Sequence, residues 1–358
     1  MAIANKKKIK VCYVAGREAG YSRTRMIIDS LQAAGYEVAT CLPPDRSFRH
    51  YPNIIWQFLR KKRGCDLVVV GFYGQLLLPV VWLFTRKPIL FDVYISTFGT
   101  MVHDRDKAKA DSFLAKLFWL SDVVSMRLAD RIIIESRHHI QEYARMFRAN
   151  PRKFRQIFLA TDPEVMRSKQ GATGNGKFLV HFHGEYAPFH GVQYILQAAD
   201  KVRHENVHFQ IIGTGITYDR DRKLAADLKL ENCTFIDRVP FDELADYMSR
   251  ADCCLGFFGQ NPRTMRVFTN KVVEALAVGK PLISTKNQPL QELLTDGESA
   301  LLIEQGNPTE IAEAILRLRD EPELRRKIAQ NGHELFLQNC TLKVFAEKIK
   351  NIIEEMLN

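Results

Sequence analysis

Short apolar runs rich in Val and Ile, each followed by a helix-length stretch, recur along the whole chain and constrain its fold more than any other feature. The first half carries "KIKVCYVAG", "EVATCLP", "DLVVVGF", "PILFDVY" and "RIIIES". The second half carries "KFLVHFHG", "VHFQIIGTG", "CTFIDRV", "CCLGFF", "PLIST" and "ALLIEQ". Runs of this kind alternating with helices indicate parallel sheets covered on both faces. Two such series in tandem predict an α/β protein of two doubly wound, Rossmann-like domains, and 358 residues suit two cores better than one. The apolar pattern gives way to Gly, Ser, Lys and Pro in "DPEVMRSKQGATGNGK". We therefore expect a first domain over 1–165, a second over 166–340 and a closing helix over 341–358. That helix carries Leu342, Phe345, Ile349, Ile352, Ile353 and Met356 on one stripe, which has to dock and could cross back to the first domain.

Charge divides the chain unevenly. Residues 1–162 hold 27 Lys and Arg against 14 Asp and Glu, and residues 163–358 hold 24 against 27, so the net charge of +10 belongs to the first half. Such a half faces something anionic: a phosphorylated small molecule, an acidic lipid surface or nucleic acid. Nucleic acid is disfavoured, because no helix-turn-helix pattern or aromatic-interleaved basic motif is present. Seven cysteines without a C-x-x-C pair read as small core residues in a reducing compartment, and no metal site is expected. The N-terminal "IKVCYVAG" is too short for a signal-peptide core, which points to a cytoplasmic protein. In "LVVVGFYGQLLLPVVWLF" the residues Gly71, Gly74, Gln75 and Pro79 break a would-be membrane span into a strand, a short helix and the approach to a second strand.

Ligands of open parallel sheets bind beyond the carboxyl ends of the strands, and with two such domains the cleft between them is the natural site. After the first strand, "AGREAGYSRTR" places Gly16 in a loop ahead of a helix, with Arg17, Arg23 and Arg25 nearby; this suits an anion at the helix start or a plain flexible turn. In the second half Gly213 and Gly215 of "IIGTG" follow one strand, and Gly184, His190 and Gly191 of "HFHGEYAPFHG" follow another. In "NKVVEALAVGKPLIS", Asn270 and Glu274 lie one turn apart on one helix face, and Arg263, Arg266 and Lys271 crowd the helix start, where the dipole already favours phosphate. A carboxylate there could hold a ribose while the cations hold a diphosphate; its plainer reading is a salt bridge to Lys271.

The ordered set "HGEYAPFHGVQYILQAA", "IIGTG", "FIDRVPFDELADYMSRADCCLGFF", "NKVVEALAVGKPLIS" and "LLTDGESALLI" resembles the donor half of GT-B glycosyltransferases, specifically glycosyltransferase family 4. The resemblance is strong over residues 175–340 and holds in outline before them. It implies the GT-B fold, a nucleotide diphosphate sugar, UDP- or GDP-linked, as donor substrate in place of any cofactor, no metal, and retention of anomeric configuration. It also implies a ribose clamp at Glu274, a base bracketed by Arg238 and Val239 of "DRVP", and glycine loops against donor and acceptor. Two departures stand out. Arg266 occupies the place of a usual second glutamate, and Glu185 and His190 stand where Arg and Lys are common. Phosphate-binding charge is therefore expected on the helix-start side, at Arg263, Arg266 and Lys271.

On the acceptor side, "FDVYISTFGTMVHDRDKAKADS" follows a strand, so Asp92, His103 and Asp104 could line the cleft and orient or deprotonate an acceptor hydroxyl. Asp92 as a strand-end cap and Asp104 as a helix-start charge are the equal alternatives. In "HYPNIIWQFLRKKRG" the residues Tyr51, Ile54, Ile55, Phe58 and Leu59 share one helix face, a stripe that suits packing on the sheet, while the basic end and Trp56 suit an anionic membrane surface. The expected activity is sugar transfer from a nucleotide sugar to a hydroxyl of a glycan or lipid-linked acceptor. His103, Asp104, Arg266 and Lys271 are the expected catalytic residues. The rivals are a nucleotide-sugar epimerase of the same fold and a non-catalytic basic binding protein.

Overall fold

The computed structural model describes residues 8–45, 47–104, 107–167 and 176–358. They form two units, one of residues 1–158 together with 342–358, the other of residues 159–341. Each unit is built on a six-stranded sheet whose paired strands all run parallel.

In the first unit the strands are β1 (Lys10–Val14), β2 (Glu37–Cys41), β3 (Leu67–Val70), β4 (Ile89–Asp92), β5 (Arg131–Ile134) and β6 (Phe154–Gln156), in the order β2-β1-β3-β4-β5-β6. The central strand β3, "LVVV", is buried along its whole length, as helices on both faces require. β6 has no counterpart among the expected strands. It is a three-residue edge with Arg155 at its centre, and a short charged edge is one way a sheet avoids pairing with another chain. The would-be span of residues 67–84 folds as β3, a turn and the helix Leu78–Phe84. Among the described residues no helix is long and apolar enough to cross a membrane.

The stripe on the helix Tyr51–Lys61 faces inward: Ile54 and Phe58 are buried, and Tyr51, Ile55 and Leu59 pack on the same core. The closing helix Leu342–Leu357 buries Phe345, Ala346, Ile349, Ile352 and Ile353 and packs on the helix Ser22–Ala33, so the end of the chain belongs to the first unit. Arg131 and Arg155 fasten its last turn through Glu355, with nitrogen–oxygen distances of 2.8 and 2.6 Å.

Beneath that helix lies an ion pair. Arg23 donates from Nε and Nη2 to the two oxygens of Asp92, at 2.9 and 2.6 Å, and the side chains are 1% and 0% exposed. The guanidinium also lies over Tyr94 and Phe345, at 5.1 and 5.5 Å from the ring centroids. Arg23 is thus committed to Asp92, not to a bound anion, and Asp92 is a structural anchor, not a lining residue of an acceptor site. Arg17 is engaged as well, with both oxygens of Glu18 at 3.0 and 3.1 Å. Breaking a buried pair by removing one partner leaves an uncompensated charge. Arg23→Met should therefore cost about 3–5 kcal/mol of unfolding free energy in urea titrations, and the double variant Arg23→Met/Asp92→Leu should regain much of it.

Candidate active site

In the second unit the strands are β7 (Phe178–His183), β8 (Val207–Ile212), β9 (Cys233–Ile236), β10 (Cys253–Leu255), β11 (Leu282–Thr285) and β12 (Leu301–Ile303), in the order β12-β11-β10-β7-β8-β9. The chain runs outward from β7 through β8 to β9, then returns to lay β10 on the other side of β7. The crevice beyond the carboxyl ends of β7 and β10 is therefore the switch point where such sheets bind ligands. Two segments meet there. Phe258 N–H donates to the His190 carbonyl at 2.9 Å and Gly259 N–H to that of Phe189 at 3.0 Å, joining the loop after β7 to the segment after β10. Asn287 Nδ2 donates to the carbonyls of Thr264 and Val267, at 2.8 and 3.0 Å, and so fixes the turn that carries Arg263 and Arg266 to the helix Asn270–Ala277.

The pleat of β7 points His181 and His183 to one face. Gln210 lies opposite His181 on β8 and donates from Nε2 to His181 Nδ1 at 2.8 Å. Burial, helped by the Lys271 ammonium, holds the His181 imidazole well below its ordinary pKa, so it is neutral, and the Gln210 bond to Nδ1 leaves its one proton on Nε2. That nitrogen donates to His183 Nδ1 at 2.9 Å, which leaves the His183 proton on Nε2, directed at Glu274 Oε2 at 2.8 Å. A one-way chain of hydrogen bonds thus runs from β8 through β7 to the helix Asn270–Ala277 and pins one oxygen of Glu274. Glu274 stands out in the sequence, whereas these two histidines, taken singly, read there as structural. Their spacing of two in a strand that ends at a ligand-binding edge was the available signal.

Lys271 is 5% exposed, and its Nζ has no hydrogen-bond partner among the described residues. The ammonium lies 4.1 Å from the Phe182 ring centroid. Burial pushes it down to about 7 against the partial support of Glu274 and Glu185. Gly184 makes room for it: with φ at 148°, a Cβ there would stand 2.7 Å from Lys271 Nζ and 3.2 Å from His190 Cε1. His190 is itself buried, bonded through Nδ1 to the Glu185 carbonyl and held well below its usual pKa by burial and then by Lys271. The salt bridge of Glu274 to Lys271, the plain alternative from sequence, is not formed; Glu274 bonds to His183.

The remaining loops close on the same place. At Gly213 a Cβ would fall 2.0 Å from the Gly184 carbonyl oxygen, at Gly215 2.5 Å from Tyr186 N, and at Gly191 2.5 Å from Gly259 N, so three backbone approaches depend on glycine. Arg238 reaches Thr214 Oγ1 at 3.0 Å and Glu185 at 3.6 Å on an exposed rim, with Val239 next to it in the chain. Arg263 lies over the Phe189 ring at 4.4 Å, and Arg266 follows in the same turn, its N–H donating to the Arg263 carbonyl at 2.9 Å. Asn270 is the first residue of the helix that bears Lys271 and Glu274. The second unit therefore gathers Gly184, His190, Gly191, Gly213, Gly215, Arg238, Val239, Arg266, Asn270, Lys271 and Glu274 at the carboxyl end of its sheet.

The first unit holds the other expected residues. Gly16 sits at the corresponding switch point between β1 and β3, its N–H donating to the Phe72 carbonyl at 2.9 Å. His103 and Asp104 fall in the helical turn Gly99–Asp104 after β4, and their side chains lie outside the described residues. Among the described residues no group of three or more His, Cys, Asp or Glu is arranged to hold a metal ion.

Residues 166–335 match the family model described as glycosyl transferases group 1. The match takes in most of the second unit, whose sequence is similar to those of group 1 glycosyltransferases. An uncharacterised glycosyltransferase of Methanocaldococcus jannaschii is 29% identical over 175 residues, which cover 49% of this chain and 47% of that protein. The chain spans about half the length of the curated relatives it matches. Among solved structures, HepE of Anabaena in complex with UDP and glucose aligns with a TM-score of 0.75 and 14% identity, over 97% of this chain and 100% of that one. Sucrose-phosphate synthase of Thermosynechococcus elongatus aligns with a TM-score of 0.78 and 17% identity, over 98% and 99%. At such identities the likeness speaks for the fold. The fold is GT-B, as the ordered sequence motifs predict.

The Lys271 pKa carries a sign. Between about pH 7, its value in the fold, and its ordinary value of 10.5, the unfolded chain binds more protons than the folded one, so this group makes stability rise with pH. At pH 7 and below, the buried ammonium is a liability in the empty protein. Lys271→Met should therefore raise the thermal midpoint of the unliganded protein at neutral pH, by roughly 1–3 kcal/mol in stability, and lose that advantage above about pH 10. Differential scanning calorimetry across pH reads both effects.

Proposed function

We propose that this protein transfers a glycosyl group from a nucleoside diphosphate sugar to an acceptor hydroxyl, with the donor held in the second unit. The observation that carries this reading is a buried, unpartnered ammonium beside a carboxylate already fixed through one oxygen, at the switch point of a parallel sheet. A free charge there calls for a counter-charge, and a diphosphate supplies one. With Oε2 of Glu274 held by His183, Oε1 is left to accept the ribose hydroxyls. The UDP bound by HepE favours a uridine nucleotide as the first donor to test.

In the proposed reaction the bond from the anomeric carbon to the diphosphate oxygen breaks and a bond to the acceptor oxygen forms. The acceptor proton passes to the departing phosphate or to a base of the first unit, for which His103 and Asp104 are the candidates. Negative charge gathers on the leaving phosphate, so the Lys271 ammonium, the Arg263 and Arg266 turn and the amides opening the helix Asn270–Ala277 are the groups placed to stabilise it. This arrangement needs no protein nucleophile and no metal, which fits retention by attack on the face the leaving group departs from. It agrees with the family 4 resemblance. A glycan or lipid-linked hydroxyl is the proposed acceptor.

Binding of UDP, followed by isothermal titration calorimetry, tests the donor half. Glu274→Ala should weaken it about a hundredfold and His183→Ala about tenfold, as expected for lost hydrogen bonds to a charged group and for a lost orienting bond. Charge-removing substitution of Arg266 and Lys271 should weaken it further. In the wild type a bound diphosphate raises the Lys271 pKa from about 7, so affinity should fall as pH rises above 7, with proton uptake at pH 8 visible as a dependence on buffer ionisation heat. Below about pH 6 affinity should fall again as the terminal phosphate protonates. Absence of binding to UDP, GDP and ADP alike would remove the reading, and turnover of the sugar nucleotide without acceptor would assign the site to an epimerase.

A further inference from the structure

The described chain exposes thirteen large apolar side chains, and they are not scattered. Ten belong to the first unit, and eight of these lie between residues 76 and 120: Leu76, Trp82, Leu83, Phe84, Phe113, Leu114, Leu117 and Leu120. Single exposed apolar residues need no explanation, but a contiguous set marks a surface that meets something apolar.

The helix Phe113–Leu128 is apolar on two sides. Its inward side carries Ala115, Asp122, Ser125 and Met126, with Trp119 and Val123 packed on the core, while Phe113, Leu114, Leu117 and Leu120 are exposed. Hydrogen bonds fix this orientation: Asp122 accepts from the N–H groups of Thr97 and Phe98 at 2.9 and 2.8 Å, so the helix cannot rotate to bury its outer apolar side without stranding a buried carboxylate. The helix Leu78–Phe84 packs beside it, with Trp82, Leu83 and Phe84 exposed, and the helix Tyr51–Lys61, with exposed Trp56, packs beside that one. All three send their inner residues, Met126, Val81 and Phe58 among them, into one core on one face of the first sheet.

Positive charge borders this surface. Across residues 51–63, 76–87 and 107–120 nine residues are Lys or Arg and one, Asp111, is acidic. Arg60 lies over the Trp56 ring at 4.5 Å, and Lys62 lies 5.5 Å from the Phe84 ring and donates to the Phe84 carbonyl. A second copy of the chain is a poor occupant, because a two-fold contact through this face would set like charges against each other. An anionic bilayer offers both complements at once: acyl chains for the Leu and Phe side chains, headgroups for Lys and Arg, and the interface between them for Trp.

We infer that the helices Tyr51–Lys61, Leu78–Phe84 and Phe113–Leu128 form a surface by which the first unit docks, without spanning, on an anionic lipid bilayer. The inference stands apart from sugar transfer, and its test does not use activity. Flotation with vesicles of phosphatidylcholine alone and of equimolar phosphatidylcholine and phosphatidylglycerol should show binding to the second kind, weakened by salt. Leu83→Glu/Leu117→Glu should lower the partition coefficient at least about tenfold, and each of Arg86→Ala and Lys87→Ala about fivefold. These positions are exposed, so thermal midpoints and the midpoint shift produced by UDP should match the wild type. No vesicle binding, equal binding to both vesicles, or variants that bind as the wild type does would overturn the inference. So would a dimer in sedimentation velocity that Leu83→Glu/Leu117→Glu dissolves.

Discussion

The hydrogen bond from His183 to Glu274 is the contact on which the carboxyl end of the second sheet depends. It links the central strand of a parallel sheet to a helix that carries two opposite charges into the interior. Neither charge is satisfied by the other. The carboxylate is oriented by a chain of neutral groups that begins at Gln210, and the ammonium is left without a hydrogen-bond partner among the described residues, in the room that Gly184 leaves for it. Electrostatic energy is thereby stored in the empty protein in a form that an anion can release, which is how a site is preorganised before its ligand arrives.

The same chain of donors gives the site a direction. Each imidazole receives a hydrogen bond on Nδ1 and gives one from Nε2, so protonating either ring would disrupt the order of the whole series. Burial, which disfavours a second proton on His181, keeps it intact. Around this fixed centre, Glu185 and Arg238 face each other at 3.6 Å on the exposed rim.

Periodicity made most of the fold legible. Eleven apolar runs became eleven of the twelve strands, because strands buried on both faces cannot disguise their composition. β6 escaped because three residues with a charged centre carry no such mark. The site was legible where a residue type was out of place, as with Glu274 and Lys271 in an apolar helix, and illegible where function lies in pairing. Arg23 and Asp92 are 69 positions apart, so neither announced the other, and each alone looked available to a ligand. His181 and His183 were visible, but their significance depends on Gln210 and Glu274, which the chain brings from 29 and 91 positions away.

The return of the closing helix has a consequence for how the protein is made. The first unit is encoded mostly at the start of the chain but completed at its end, since Phe345, Ile349 and Ile353 cover the helix Ser22–Ala33 and the Arg23–Asp92 pair beneath it. The second unit is continuous in sequence, so all of it is synthesised before the helix that closes the first. Until Glu355 has left the ribosome, an arginine, an aspartate and an apolar helix face remain uncovered on the nascent chain. The first unit can bury this face only once both ends of its discontinuous sequence are available.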